Sequence, residues 1–344
     1  AIESIELVTN PSAKYDAEGM SGILNIVLKK NRKAGFNGAV NAGIGTGNKF
    51  NGGGNINIRQ GKFNVFANYN INSNHSWGNG STQRSNYRNG EKSDTNYLIQ
   101  NSDSKSKPLF QFGRFGVDYM IDNRNTISIG QNIVAGYFKN YEDLLSTFAD
   151  SKHAVTGKSD RINDNNFNFR NYTITLSFRH TYAQPNKEWT ADVNYNRSTN
   201  GRSGDYLTQA QNALGMPLGQ ALLQHNTTSG KTTFMTFQTD YTNPIGENGK
   251  LELGAKATLR DYTSLYDVYD KDTITGEFIS NPMLSNNYKY NEEIYAGYAN
   301  FANTIGNFGY QAGLRVEQYV YAGENEVTKY KPTKTVLGLL PSLL

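Results

Sequence analysis

At 344 residues the chain is long enough for one large β domain or two ordinary ones. Its 34 basic and 30 acidic residues leave a net charge of only +4, which excludes the strongly basic surface of a nucleic-acid binder. The lack of any cysteine removes disulfides, Cys-based zinc sites and thiol nucleophiles, and no apolar run approaches the roughly 20 residues of a membrane helix.

The first element is "IESIELVTNPSAKYDAEGMSGILNIVLKK", a polar, turn-rich approach into an almost continuous apolar strand. Residues Ala1 to Leu7 lack a charged region and a long apolar stretch, so no signal peptide is expected there; it was removed, or the chain begins late within a longer protein. Asn10 and Pro11 favour a turn, because proline fixes its own φ and drives the residue before it toward extended geometry. Gly19 and Gly22 open conformations closed to other residues. Ile23, Leu24, Ile26, Val27 and Leu28 read as a strand covered on both faces.

From residue 33 onward a single grammar takes over, in which apolar and polar residues alternate over segments of about ten residues. Five segments carry it clearly: Phe63 to Asn72, Tyr172 to Arg179, Trp189 to Asn196, Leu251 to Arg260 and Tyr310 to Glu317. Weaker versions fall at 36–44, 50–60, 110–121, 125–138, 231–242 and 290–303, the last without a clear apolar face. About eleven strands result, and "LGLLPSLL" opens a twelfth. The Gly-rich "GIGTGNKFNGGGN" lacks a Gly-Lys-Ser/Thr ending and a following helix, so it reads as a hairpin with "TGNK" at its tip. Gly52, Gly53 and Gly54 mark a bulge or a close approach of another backbone.

Short links such as "QGK", "DNRN", "YAQPNKE", "NPIGENGK" and "IGN" alternate with long polar ones near 73–107, 139–166, 199–230, 263–288 and 322–338. Short and long connections are thereby expected at opposite ends of the sheet, as in outer-membrane barrels with tight periplasmic turns and long extracellular loops. Arg179, Lys256, Arg260, Arg315 and Glu317 all take the polar face, toward a watery lumen. Toward lipid at mid-depth, each Arg or Lys would cost roughly 2–4 kcal/mol. A soluble sheet with one solvated face produces the same period, but the segregated loops and the Tyr and Phe near strand ends favour the membrane.

Catalytic constellations are sparse. His75, His153, His180 and His225 are far apart and lack partners at metal-ligand spacing. His180 could serve an outer-membrane hydrolase, yet no nucleophile motif accompanies it. Asp267, Asp270 and Asp272 in "DVYDKD" do not follow the spacing of an EF-hand and read as solvated. "NHSWGNG" and "SNYRNGEKSDTNY" carry aromatic and amide side chains suited to a glycan or a peptide.

The opening stretch resembles the end of the plug domain of TonB-dependent outer-membrane receptors, in the version common in Bacteroidota. The resemblance rests on "IESIELVT", the turn Asn10, Pro11, Ser12 and Ala13, then Tyr15, the pair Gly19 and Gly22, and "GILNIVLKK" leading into the barrel. Its "YDAEGMSG" carries Asp16 and Glu18 where many receptors have a Tyr-Gly turn of small residues. No TonB box and no bulk of a plug are present in the sequence. The resemblance implies an all-β fold: the C-terminal end of a plug over 1–32, then an antiparallel transmembrane β-barrel segment of about eleven strands over 33–344, roughly half of a 22-stranded barrel. It further implies uptake of a scarce extracellular ligand (siderophore, glycan, peptide or cobalamin-like), the TonB complex and outer-membrane lipid as partners, and neither cofactor nor catalysis. A surface-binding or structural barrel without energised transport is the alternative.

Overall fold

The computed structural model describes residues 2–8, 23–28, 34–88, 91–326 and 328–344. Strands β1 (Ile2–Val8) and β2 (Ile23–Leu28) form an antiparallel pair with Leu7 opposite Leu24. The large sheet follows with β3 (Gly35–Gly45), β4 (Lys49–Gln60), β5 (Phe63–Asn74), β6 (Ser76–Arg88), β7 (Glu91–Met120), β8 (Asn125–Ala149) and β9 (Val155–Thr181). It continues with β10 (Glu188–Gln211), β11 (Leu222–Ile245), β12 (Gly249–Lys271), β13 (Phe278–Ser280), β14 (Asn286–Ile305), β15 (Phe308–Asn325) and β16 (Thr333–Leu343). Twelve of these fourteen strands form one antiparallel path from β3 to β16, while β6 pairs only with β7 and β13 only with β12. The segments with alternating character lie in these strands, apart from Ile121 just past β7, and "LGLLPSLL" falls at the end of the path's twelfth strand, which opens earlier, at Thr333. β3 and β16 are the two edges of the sheet.

The period-two pattern sorts the side chains onto two faces. Ile129, Leu176, Phe237, Leu253 and Val316 stand exposed on one, which we term outer. Thr236, Asp240, Thr258, Asn300, Arg315 and Glu317 are buried on the other, the inner face. On the outer face the apolar run is short: β10 carries Trp189, Ala191, Val193 and Tyr195 before Arg197, and β9 runs from Phe178 to Tyr172 before Arg170. These runs span seven residues, a little under the roughly 9–11 with which a tilted strand crosses lipid. Near the tight turns the outer face carries ring pairs, with Phe63 on Tyr119 at 4.8 Å, Phe178 on Trp189 at 5.4 Å and Phe301 on Tyr310 at 6.2 Å. This is an interfacial aromatic girdle. β14, whose apolar face the sequence leaves open, turns Tyr295, Gly297, Ala299 and Phe301 outward through its register with β12 and β15.

Two expectations are corrected. The long polar links are mostly strand: β9 runs 27 residues and β7 runs 30, so each extends well beyond the lipid-crossing run. What remains at that end is short, such as 150–154 and 212–221. Above the lipid band both faces are mostly polar and the alternation disappears, but backbone ladders need no apolar residues, and side chains such as Ser106 to Asn140 (2.6 Å) and Gln224 to Asp270 (2.9 Å) bond across neighbouring strands. The asymmetry therefore lies in strand length rather than loop length. Secondly, β2 is not covered on both faces: Leu24 and Ile26 are 60% and 50% exposed, as a two-stranded ribbon buries little by itself.

The hairpin reading of "TGNK" holds. Gly47 (φ 77°) and Asn48 (φ 58°) are both left-handed, which turns the chain between Gly45 and Lys49, the last pair joining β3 to β4. At Gly53 the close neighbours are side chains rather than backbone, since a Cβ there would meet Asn70 and Asn41.

Candidate ligand path on the inner wall

The sequence places Arg179, Lys256, Arg260, Arg315 and Glu317 on the polar face, and the strand registers put all five on the inner wall. Arg179, beside a tight turn, pairs with Glu188, and Arg260 pairs with Glu292 at 3.1 Å while lying over the Phe234 ring at 5.3 Å. Arg315 and Glu317 depart from the expectation of a watery surround. Their side chains are 3% and 2% exposed, and Arg315 Nε donates to Glu317 Oε1 at 2.6 Å. The Tyr319 hydroxyl donates to the same carboxylate. On the neighbouring strand Tyr298 lays its ring across Gly254, where a Cβ would come within 2.5 Å of it, and reaches over β12 to donate to Asp240. A glycine in mid-strand thus makes room for a ring that spans three strands. Alternation assigns the face of these residues but not this cross-strand reach, so the network was invisible in the sequence apart from Gly254 itself.

Higher on the same wall, beyond the outer-face tyrosines, rings replace amides. Phe138 and Phe167 lie opposite one another at 5.9 Å, and Phe169 packs on both. Arg202 is the next residue along that row, opposite Phe167. A cavity of about 720 Å³ opens here, lined by Phe138, Phe167, Asn140, Glu142, Asn165 and Arg202. The larger cavity, about 930 Å³ and lined by Ile127, Leu176, Val193, Ala257, Tyr295 and Val316, lies on the outer apolar face, where Ala191, Ala255 and Gly297 let the surface dip. That face meets lipid, so its cavity is not the candidate path.

The remaining sequence candidates do not converge. Asn10, Pro11, Ser12, Ala13, Tyr15, Gly19 and Gly22 lie outside the described residues. His180 Nδ1 contacts Asn125 Oδ1 at 2.6 Å beside a tight turn, with an amide where a catalytic dyad would need a carboxylate or a nucleophile. His225 pairs with Asp205 at 2.7 Å, and His153 stacks on Tyr97. Asp267 accepts from Asn287, Asp270 from Gln224 and Asn281, and Asp272 from the backbone N–H groups of Ile274 and Thr275. The last two bonds hold the Asp272 carboxyl below its ordinary range, chiefly through Ile274. Among the described residues no group of His, Asp and Glu is arranged to hold a metal ion. "NHSWGNG" runs from the end of β5 into β6, where Trp77 is 75% exposed.

An antiparallel sheet with an apolar outer band, an aromatic girdle and a polar inner wall is the wall of an outer-membrane β-barrel. Residues 180–344, just under half of the chain, match the family described as "Outer membrane protein beta-barrel family". The protein is located in the outer membrane. No curated protein matches the chain. Among solved structures it is similar to the crystal structure of outer membrane protease OmpT from Escherichia coli, at 13% identity over 80% of this chain and 96% of that one, with a TM-score of 0.23. At that similarity the protease's activity does not transfer.

Proposed function

We propose that this chain is part of a receptor that takes up a scarce extracellular ligand through the outer membrane, energised by the TonB complex. The observation that carries the reading is the inner wall: a membrane-crossing sheet whose strands extend far above the lipid band and present rings, amides and guanidinium groups inward. The resemblance of the opening stretch to a plug terminus supports it, with residues 1–32 as the end of the plug and 33–344 as the N-terminal half of a barrel of about 22 strands. The free edges at β3 and β16 agree with a larger barrel, because unpaired backbone groups are costly in lipid and further strands would satisfy them. In this reading the ligand leaves chemically unchanged and the protein is not an enzyme. The test is growth of a deletion strain on a panel of iron and glycan sources, with and without functional TonB. A TonB-dependent growth defect on at least one source is expected; equal growth on every source would sink the proposal.

A further inference from the structure

Most of the inner wall is amide-rich; Arg179, Arg260 and Arg315 pair with carboxylates, whereas among the described residues Arg114, Arg161 and Arg202 do not. Of these three, Arg202 lines the cavity. Its guanidinium donates to Asn165 Oδ1 through Nε (3.3 Å) and Nη2 (3.1 Å), and Nη2 also donates to the Tyr206 hydroxyl at 3.1 Å. Asn165 and Tyr206 are 8% and 9% exposed and bonded to each other at 2.6 Å, so they form a rigid mount. Gly204 leaves room for it, since a Cβ there would fall 2.2 Å from Asn165 Oδ1. Among the described residues no carboxylate pairs with Arg202, and its side chain is exposed to the cavity. Neutral acceptors thus position the cation without neutralising it.

Immediately beside it lies the ring ledge. Phe167 is directly opposite Arg202 on β9, Phe138 is opposite Phe167 on β8, and Phe169 and Phe110 add a second row at centroid spacings of 5.9 to 6.4 Å. Gly136 provides the gap into which the Phe169 ring falls, a Cβ there meeting it at 2.3 Å. Four phenylalanines on a wall otherwise rich in amides bring neither hydroxyl nor N–H, so they offer flat apolar surface alone. Asn165 Oδ1 already accepts from Arg202 and Tyr206, and although Ser104, Asn140, Asn200 and Thr228 also line the cavity, a neutral glycan would leave the Arg202 charge unanswered, whereas a carboxylate meets it.

We propose that Phe138, Phe167, Phe169 and Arg202 form a binding subsite for a small aromatic carboxylate, its ring on the ledge and its carboxylate on the Nη1 group of Arg202, whose Nε and Nη2 are held by the mount. This deepens the uptake reading by naming a ligand class, and it rests on the inner wall being a ligand path. The test uses the purified protein in detergent micelles with 1-naphthoate as fluorescent probe, its neutral amide 1-naphthamide as isostere, and maltohexaose as glycan. Saturable 1-naphthoate binding at least about tenfold tighter than that of the amide is expected, from one charge-assisted hydrogen bond to the guanidinium. Arg202→Gln should erase that preference while amide binding persists, and Phe167→Ser should weaken both probes. Retained amide binding reports that the Arg202→Gln site is intact; Arg202→Lys provides a second variant, in which the charge stays but the bonds that hold it on Asn165 and Tyr206 are lost and the preference shrinks. Equal binding of naphthoate and amide to the unaltered protein, an unchanged preference in Arg202→Gln, or displacement of naphthoate by maltohexaose would overturn the proposal. Naphthoate binding in a protein whose strain shows no TonB-dependent growth defect would leave the subsite standing and remove the transport reading. A TonB-dependent defect without naphthoate binding would do the reverse.

Discussion

At the residue scale, the inner wall separates charges that water can reach from charges it cannot. Arg315 and Glu317 are almost fully enclosed, so each depends on the other. Arg315→Leu should cost about 3–5 kcal/mol, because it leaves a buried carboxylate without its cation, whereas Arg315→Leu combined with Glu317→Leu should recover much of that loss. Urea unfolding of the refolded protein in bilayers, compared across the two variants, checks this; equal losses would contradict it. Carboxylates in the turns respond differently. Asp122 is held low first by the Asn125 side chain and then by the N–H groups of Arg124 and Asn125, and Asp272 by Ile274 and Thr275. A depressed folded pKa means that the stabilisation is present above the ordinary carboxylate pKa and is lost as pH falls through the lower, folded value. Amide protection at Arg124 and Ile274, taken relative to the intrinsic exchange rate, should therefore fall on acidification below about pH 4, and Asp122→Asn and Asp272→Asn should flatten that response at their own turns.

At the element scale, the alternation that sorts side chains also ranks substitutions. Leu253 on β12 faces outward within the apolar run, while Gln238 on the adjoining β11 faces inward beside Asp240. Leu253→Arg should destabilise the bilayer-embedded protein by about 2–4 kcal/mol, while Gln238→Arg, with a carboxylate at hand, should cost far less. The same unfolding measurement ranks them, and a larger loss at Gln238 would reverse the assignment of faces. The strands themselves were legible wherever one face meets lipid, because a clean apolar alternation exists only there. Above that band, β7 to β12 continue as polar strands, and residues such as Asn163, Arg202 and Gln224 carry loop-like composition although backbone ladders hold them. For the same reason the Phe138, Phe167 and Arg202 row was unreadable: it needs the register of three strands, and its residues span 65 positions of sequence, from 138 to 202.

At the scale of the whole molecule, the two ends of the sheet differ in how far the strands project. The tight turns at 61–62, 121–124 and 246–248 sit by the ring girdle, while the opposite end stands beyond the outer-face tyrosines. The projecting end is expected outside the cell. Ile274→Cys, 93% exposed in the starting side chain and introduced into a sequence whose 344 residues hold no cysteine, should react with a membrane-impermeant maleimide on intact cells. Glu247→Cys in a tight turn should react only after the outer membrane is opened, and the opposite labelling pattern would invert the orientation. By itself the sequence determined the period of the wall, the inward direction of its charges and the location of its turns, because these are local consequences of strand geometry and of the penalty for charge in lipid. Tertiary structure alone decided which face of β14 meets lipid, how far the polar strands continue, and that Tyr298 crosses Gly254 to Asp240, because register between strands brings together residues that no local pattern links.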